Sequence, residues 1–166
     1  MNVRIFAKAH QTRISAALVA AVISLFSLAV HADNHVKVEN GYIRATIPGT
    51  NISSAYMVIT NHSMNVKELI GATSNISPRI EIHEHQMSEG MMKMRQRESI
   101  VINMHDAVTL QPSGLHLMIF ELNKPLKVGD NVELTLQFKD GEQLPISLPV
   151  ESIKRKKKAK HAHNHH

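Results

Sequence analysis

The sequence predicts an all-β fold, a sandwich or barrel of short strands around a single core. Three observations predict it. Runs of alternating apolar and polar residues recur between residues 35 and 150, Gly, Pro, Asn and Asp separate them, and this part of the chain has no long helical period. The chain has 166 residues and no cysteine, so a packed core must stabilise the domain without disulfides.

Ten segments have the alternation expected of strands. They are HVKVEN, YIRATI, SSAYMVITN, VKELIGATS, RIEIHEH, MMKMRQR, AVTL, LHLMIFEL, NVELTLQF and QLPISLPV. Turn signals lie between several of them, namely Pro48-Gly49, Pro112-Ser113-Gly114, Gly129-Asp130 and Asp140-Gly141. The last of these predicts a hairpin between the two final strands.

The first 32 residues have the features of a secretory leader. Three basic residues and no acidic one precede a 17-residue apolar run, Ile14 to Val30, and small residues follow in Val30-His31-Ala32. The sequence therefore predicts a signal peptide at residues 1–32 and export of a domain at residues 33–153. The alternative is an uncleaved anchor, because the run is slightly long for a signal core and slightly short for a membrane span. No other stretch could cross a bilayer.

The net charge of +5 comes from the two ends of the chain. The leader has three basic residues and the segment KRKKKAK has six, which leaves residues 33–153 with ten basic against fourteen acidic residues, a net charge of −4. A mildly acidic domain lacks the basic face that phosphate neutralisation needs, so the charge argues against nucleic-acid binding. The last thirteen residues, 154–166, contain no large apolar residue, and we expect them to be disordered.

Histidine and methionine share faces on three predicted strands. Because strand side chains alternate, Ile80 and Ile82 should face the core, while His83 and His85 should face the other side. The same rule puts the aliphatic residues of LHLMIF inward. Four more residues then lie off the core side, which this rule takes to be solvated: Met92, Met94, His116 and Met118.

Copper would explain why methionines lie away from the core. A single such Met is ordinarily a gap-filler or a surface contact. Two ligand types in same-face pairs on an exported chain favour a metal site instead, because thioether sulfur is a soft ligand suited to Cu(I) and imidazole binds copper in either oxidation state. The absence of cysteine weighs against a blue-copper electron-transfer centre.

The spacing of these residues resembles a known motif. His83, Met94, His116 and Met118 read H-x10-M-x21-H-x-M, and this resembles the periplasmic copper chaperone family written PCu(A)C. The stretches IEIHEHQMSEGMMKMR, LQPSGLHLMIFELNKPLKVGDNVELTLQF and GTNISSAYMVITN also look like parts of that family. The resemblance covers nearly all of residues 40–150.

The resemblance implies a cupredoxin-like β-sandwich or Greek-key barrel that binds one Cu(I) through those four residues. It implies a periplasmic chaperone, not an enzyme, that passes copper to the CuA subunit of cytochrome c oxidase or to a thioredoxin-like assembly factor. Members often have Met where this chain has Glu84. The sequence therefore suggests secondary ligands, and these are His85, Met87 and Met92.

Two alternative functions and the histidine-rich tail remain open at this stage. The chain could store copper in the periplasm, or it could be an Ig-like interaction domain in which His and Met are incidental. The tail ends in HAHNHH, a flexible imidazole cluster suited to Cu(II), unless it is an expression scar. Its candidate ligands are His161, His163, His165 and His166.

Overall fold

The computed structural model describes residues 35–88 and 90–152, and the fold within them is all-β, as predicted. Within these residues no helix is long and apolar enough to cross a membrane. The predicted leader and tail, residues 1–32 and 154–166, lie outside them. The strands are β1 (Val36–Arg44), β2 (Ser53–Asn61), β3 (Lys67–Thr73), β4 (Arg79–Ser88), β5 (Met91–Arg97), β6 (Ile100–Ile102), β7 (Ala107–Leu110), β8 (Leu115–Phe120), β9 (Asn131–Phe138) and β10 (Gln143–Glu151).

The strands form two antiparallel sheets that are joined at one edge. The first has the order β5-β4-β8-β2-β1, and β7 also pairs with β2, beyond the end of β8. The second has the order β10-β9-β3-β6. A short parallel pairing of β1 with β10 connects them, with Ile43 opposite Val150. The chain crosses between the sheets five times, which is the arrangement of a sandwich rather than of a meander.

Aliphatic side chains from both sheets form one core. In β9 every second residue is buried, and the same period continues in the paired strand β10. Two strands of the first sheet depart from this alternation. Ala55, Tyr56 and Met57 are consecutive and all buried in β2, and so are His116 and Leu117 in β8. Both faces of the first sheet are therefore covered where these two strands meet.

The strand prediction differs from the structure at β1. The segments predicted as two strands, HVKVEN and YIRATI, form a single strand with a register shift between Glu39 and Tyr42. Asn40 takes a positive φ of 52°, and a side chain on Gly41 would collide with Leu148 of the opposite sheet. A β-bulge of this kind bends a strand without ending it.

Other strand boundaries also differ from the prediction. β6 was not predicted, because three residues are too few to show a period. β4 continues to Ser88, since β5 pairs with it from Ile82 to Ser88. β8 ends at Phe120, where Glu121 takes a φ of 52°. The predicted hairpin between β9 and β10 is confirmed, with Gly141 at a φ of 90°.

The Asn61 side chain forms hydrogen bonds with two loops at one end of the sandwich. It is fully buried, and its Nδ2 donates to the carbonyls of Asn65, Ile102 and Asn103 at 2.8, 3.1 and 3.0 Å. Its Oδ1 accepts from the backbone N–H and the hydroxyl of Ser63 at 3.0 and 2.7 Å. One amide therefore satisfies backbone groups of both the β2–β3 and the β6–β7 loops.

Asn61→Ala should lower the free energy of unfolding by roughly 2–4 kcal/mol, because it leaves several buried backbone groups without a partner. Chemical denaturation measures this change. Asn123→Ala is the matched control, since the exposed Asn123 amide donates a single bond, to the carbonyl of Asn75. Equal losses in the two variants would contradict the role given to Asn61.

Candidate metal site

Strand β4 lies between β5 and β8, and its pairing determines which side chains share a face. Residues directly opposite one another in an antiparallel pair project to the same side. Ile82 is opposite Leu117, and both are buried in the core. The next residue, His83, therefore projects to the outer face. The pairs on this outer face are His83 with His116, Glu81 with Met118, His85 with Met94 and Met87 with Met92.

The outer face is not solvated around His116, so the sequence prediction was wrong on this point. His116 does project away from Leu117 and Ile119, but it is only 2% exposed. The rings of Tyr56 and His85 pack against it, with centroids 6.1 and 5.1 Å away. A second, aromatic layer therefore covers this face, and strand alternation alone could not reveal it.

The histidine rings have one nitrogen engaged and another available. His83 contacts Glu81 Oε2 through Nε2 at 2.7 Å, while its Nδ1 is buried without a partner. His116 donates from Nδ1 to the carbonyl of Gly114 at 3.0 Å, so a neutral His116 carries its lone pair on Nε2. Burial lowers the pKa of His116, which favours this neutral form. Both rings are thus fixed in tautomers that leave a nitrogen free to bind a metal.

Glu81 orients His83, and sequence reasoning did not single it out for this role. Its other oxygen accepts from Arg79 Nη1 at 2.9 Å, and Arg79 Nε donates to Glu121 at 3.1 Å. The hydrogen bond from His83, with help from Arg79, lowers the pKa of Glu81, so the carboxylate stays ionised. Carboxylates of this kind fix the tautomer of metal-binding histidines. The position of Glu81, two residues before His83 on the same face, was the available signal.

The two predicted methionine ligands lie at opposite ends of the site. Met118 is half-buried beside His116, and Ser54 donates a hydrogen bond to its Sδ at 3.4 Å. Met94 is 46% exposed and lies opposite His85, on the diagonal from His83. Met118 is opposite Glu81 and Met94 is opposite His85, so along β4 the two methionines are four residues apart, about 13 Å at strand spacing. The predicted ligands therefore form a row across three strands and not a closed cage.

The site lacks the ligands that harder metals prefer. Among the described residues, no group of three or more His, Cys, Asp or Glu side chains could hold a metal ion. The side chains on this face that can add donor atoms to His83 and His116 include the thioethers of Met118 and Met94. This donor set fits a soft monovalent ion such as Cu(I) better than Zn²⁺ or Mg²⁺. The candidate tail ligands at residues 161–166 lie outside the described residues.

Sequence comparison gives one family and one curated relative. The family model described as "Putative lipoprotein LpqE-like" matches residues 36–150. The curated relative is "Putative lipoprotein Lxx21020" of Leifsonia xyli subsp. xyli, which is 28% identical over 119 residues, 71% of this chain and 70% of that protein.

Structure comparison gives PCuAC domains among the similar folds. The copper-bound PCuAC domain from PmoF2 is 24% identical over 71% of this chain and 93% of that chain, with a TM-score of 0.61. The Cu(I) form of DR1885 from Deinococcus radiodurans is 29% identical over 75% and 83%, with a TM-score of 0.59. Its apo form is 31% identical over 71% and 79%, with a TM-score of 0.55. The predicted resemblance to PCu(A)C proteins is confirmed, and so is the cupredoxin-like β-fold.

His116→Ala should lower the free energy of unfolding by about 2 kcal/mol or more, because truncating a buried ring leaves a cavity. Thermal or chemical denaturation of the metal-free protein tests this. Met94→Ala is the control on the same face. Its exposed side chain should cost within about 0.5 kcal/mol. Equal stability of the two variants would show that His116 is a surface residue after all.

Proposed function

The chain belongs to the LpqE-like family, and on this premise we propose that it is an extracytoplasmic copper-binding protein that carries Cu(I). The observation that carries the proposal is the buried, unpartnered Nδ1 of His83, in a ring whose centroid lies 6.1 Å from that of His116. A buried polar atom without a partner calls for an explanation, and a bound ion supplies one. The copper-bound PmoF2 domain and Cu(I)-DR1885 support copper as that ion.

We assign the primary ligands to His83 Nδ1, His116 Nε2 and the sulfurs of Met118 and Met94. Neighbours hold the first three side chains, because His83 contacts Glu81 through its Nε2 and His116 donates from Nδ1 to the Gly114 carbonyl. The third, Met118, accepts a hydrogen bond from Ser54 at its Sδ. Met94 has to approach from the hairpin of β4 and β5, because it is opposite His85. Cu(I) would thus enter a site whose inner part is fixed and whose outer ligand moves.

Delivery to a partner agrees with this arrangement. A carrier has to release its ion, and an exposed thioether such as Met94 is a weakly basic ligand that another protein can replace. The proposed recipients are the CuA subunit of cytochrome c oxidase or a thioredoxin-like assembly factor, in the periplasm.

The predicted leader at residues 1–32 and the word lipoprotein in the family description support a location outside the cytoplasm. Storage of copper remains the second candidate, because the His-rich tail could add capacity.

Removing one ligand or one orienting residue should weaken Cu(I) binding. We expect Met118→Leu, which keeps the side-chain volume but loses the sulfur, to weaken Cu(I) at least about tenfold. Glu81→Gln should cost roughly 10–100-fold, the ordinary effect of losing the partner of a metal-binding histidine. Anaerobic titration against a chromogenic Cu(I) competitor measures both.

Met104→Leu is the matched control for this titration, because Met104 is exposed in the β6–β7 loop and far from β4 in the sheet order. Its Cu(I) affinity should equal that of the wild type. If all three variants bind Cu(I) like the wild type, copper does not bind at this face and the proposal fails.

The tail is proposed as a separate Cu(II) site. Clustered imidazoles bind Cu(II) well, whereas thioethers gain little from the harder divalent ion. Deleting residues 154–166 should therefore remove most Cu(II) uptake and leave the tight Cu(I) site intact. Cu(II) uptake by the full chain should also fade as the pH drops through about 6.5, where free imidazoles take up protons. Loss of Cu(I) and Cu(II) together on deletion would show that the tail belongs to the primary site.

A further inference from the structure

The hairpin of β4 and β5 exposes more methionine than a sheet edge ordinarily does. Met87, Met91, Met92 and Met94 are 64, 58, 51 and 46% exposed. β5 is the edge strand of its sheet, and none of its side chains is buried. These methionines gain little from burial, so packing does not explain them.

Four soft donors of this hairpin lie together on one face. His85 is opposite Met94, and Met87 is opposite Met92. Opposite residues are about 5 Å apart and alternate residues along a strand about 6.6 Å apart, so the centre of the four positions lies about 4 Å from each Cβ. A thioether can reach that distance. The arrangement is a quadrilateral of one imidazole and three sulfurs.

His85 supplies an independent observation, a buried ring nitrogen to which no described protein group hydrogen-bonds. Its ring stacks on His116 at 5.1 Å between centroids, and its Nδ1 is buried without a partner. The ligand set assigned to the primary site does not include this nitrogen. His85 therefore joins the buried imidazoles of the primary site to the exposed thioethers of the hairpin.

We propose that the hairpin holds a second, weaker soft-metal site, in which His85, Met87 and Met92 bind Cu(I) and Met94 is shared with the primary site. This rests on the proposed function, because the shared ligand makes sense only if copper also binds at His83 and His116. Cu(I) first binds the exposed sulfurs of the hairpin. It then moves to the primary site, and Met94 is a ligand in both positions. No oxidation or reduction takes place, since the ion stays Cu(I) and only its ligands change.

The test uses the full chain labelled with ¹³C at the methionine methyl groups and titrated anaerobically with Cu(I). Each methyl reports its own sulfur, and the tail contains no methionine, so the methyl signals do not report binding to the tail. The first equivalent should shift Met118, and the second should shift Met87 and Met92. The double substitution Met87→Leu/Met92→Leu should weaken the second equivalent at least about tenfold and leave the first unchanged.

Met91→Leu is the matched control. Met91 is on the same hairpin and equally exposed, but it is opposite Ser88 and projects to the other face. Its loss should leave both equivalents unchanged. If Met118 responds to Cu(I) while Met87 and Met92 never do, the hairpin site is overturned and the proposed function stands. If Met118 does not respond either, the proposed function fails as well.

Discussion

The antiparallel register of β4 against β8 is the constraint on which the site depends. It places His83 directly opposite His116 on one face and Ile82 opposite Leu117 on the other. Because strand side chains alternate, a slip of one residue would turn the histidines into the core and the aliphatic residues outward. Burial of Ile82 and Leu117, at 2 and 0% exposure, therefore fixes the positions of the imidazoles. The hydrophobic core holds the register, and the register holds the donor atoms together.

Charged side chains on the outer face fix the orientation of His83. Arg79 lies over the ring of Phe120 at 4.1 Å and pairs with Glu81 and Glu121, so Glu81 cannot turn away from His83 without losing an ion pair. Arg79 and Glu121 are about half exposed, so each pair alone contributes little to stability. Their effect is to hold Glu81 towards His83, and this determines which nitrogen of His83 carries the proton.

The sequence predicted the parts of the fold that follow from local periodicity. Alternation gave the all-β class, the inward set Leu117 and Ile119, and the projection of His83, His116 and Met118 away from the core, because these need only the two-residue period. It could not give the burial of His116, since the rings that pack against it belong to Tyr56 and His85 on other strands. It also split β1, because a bulge at Asn40 and Gly41 looks like a turn in the sequence. These features depend on contacts between residues far apart in the sequence, and local alternation does not predict such contacts.

Exposure rises along the outer face from the histidines to the hairpin, and this gradient gives the site a direction. His116 is 2% exposed, the His83 side chain 13%, Met94 46% and Met87 64%. The inner donors are fixed by hydrogen bonds to Glu81 and Gly114, so binding an ion there costs little ordering entropy. The outer donors are flexible thioethers that must be ordered on binding. An ion should therefore be held more tightly at the inner end and exchanged more readily at the outer end, where a partner protein can reach it.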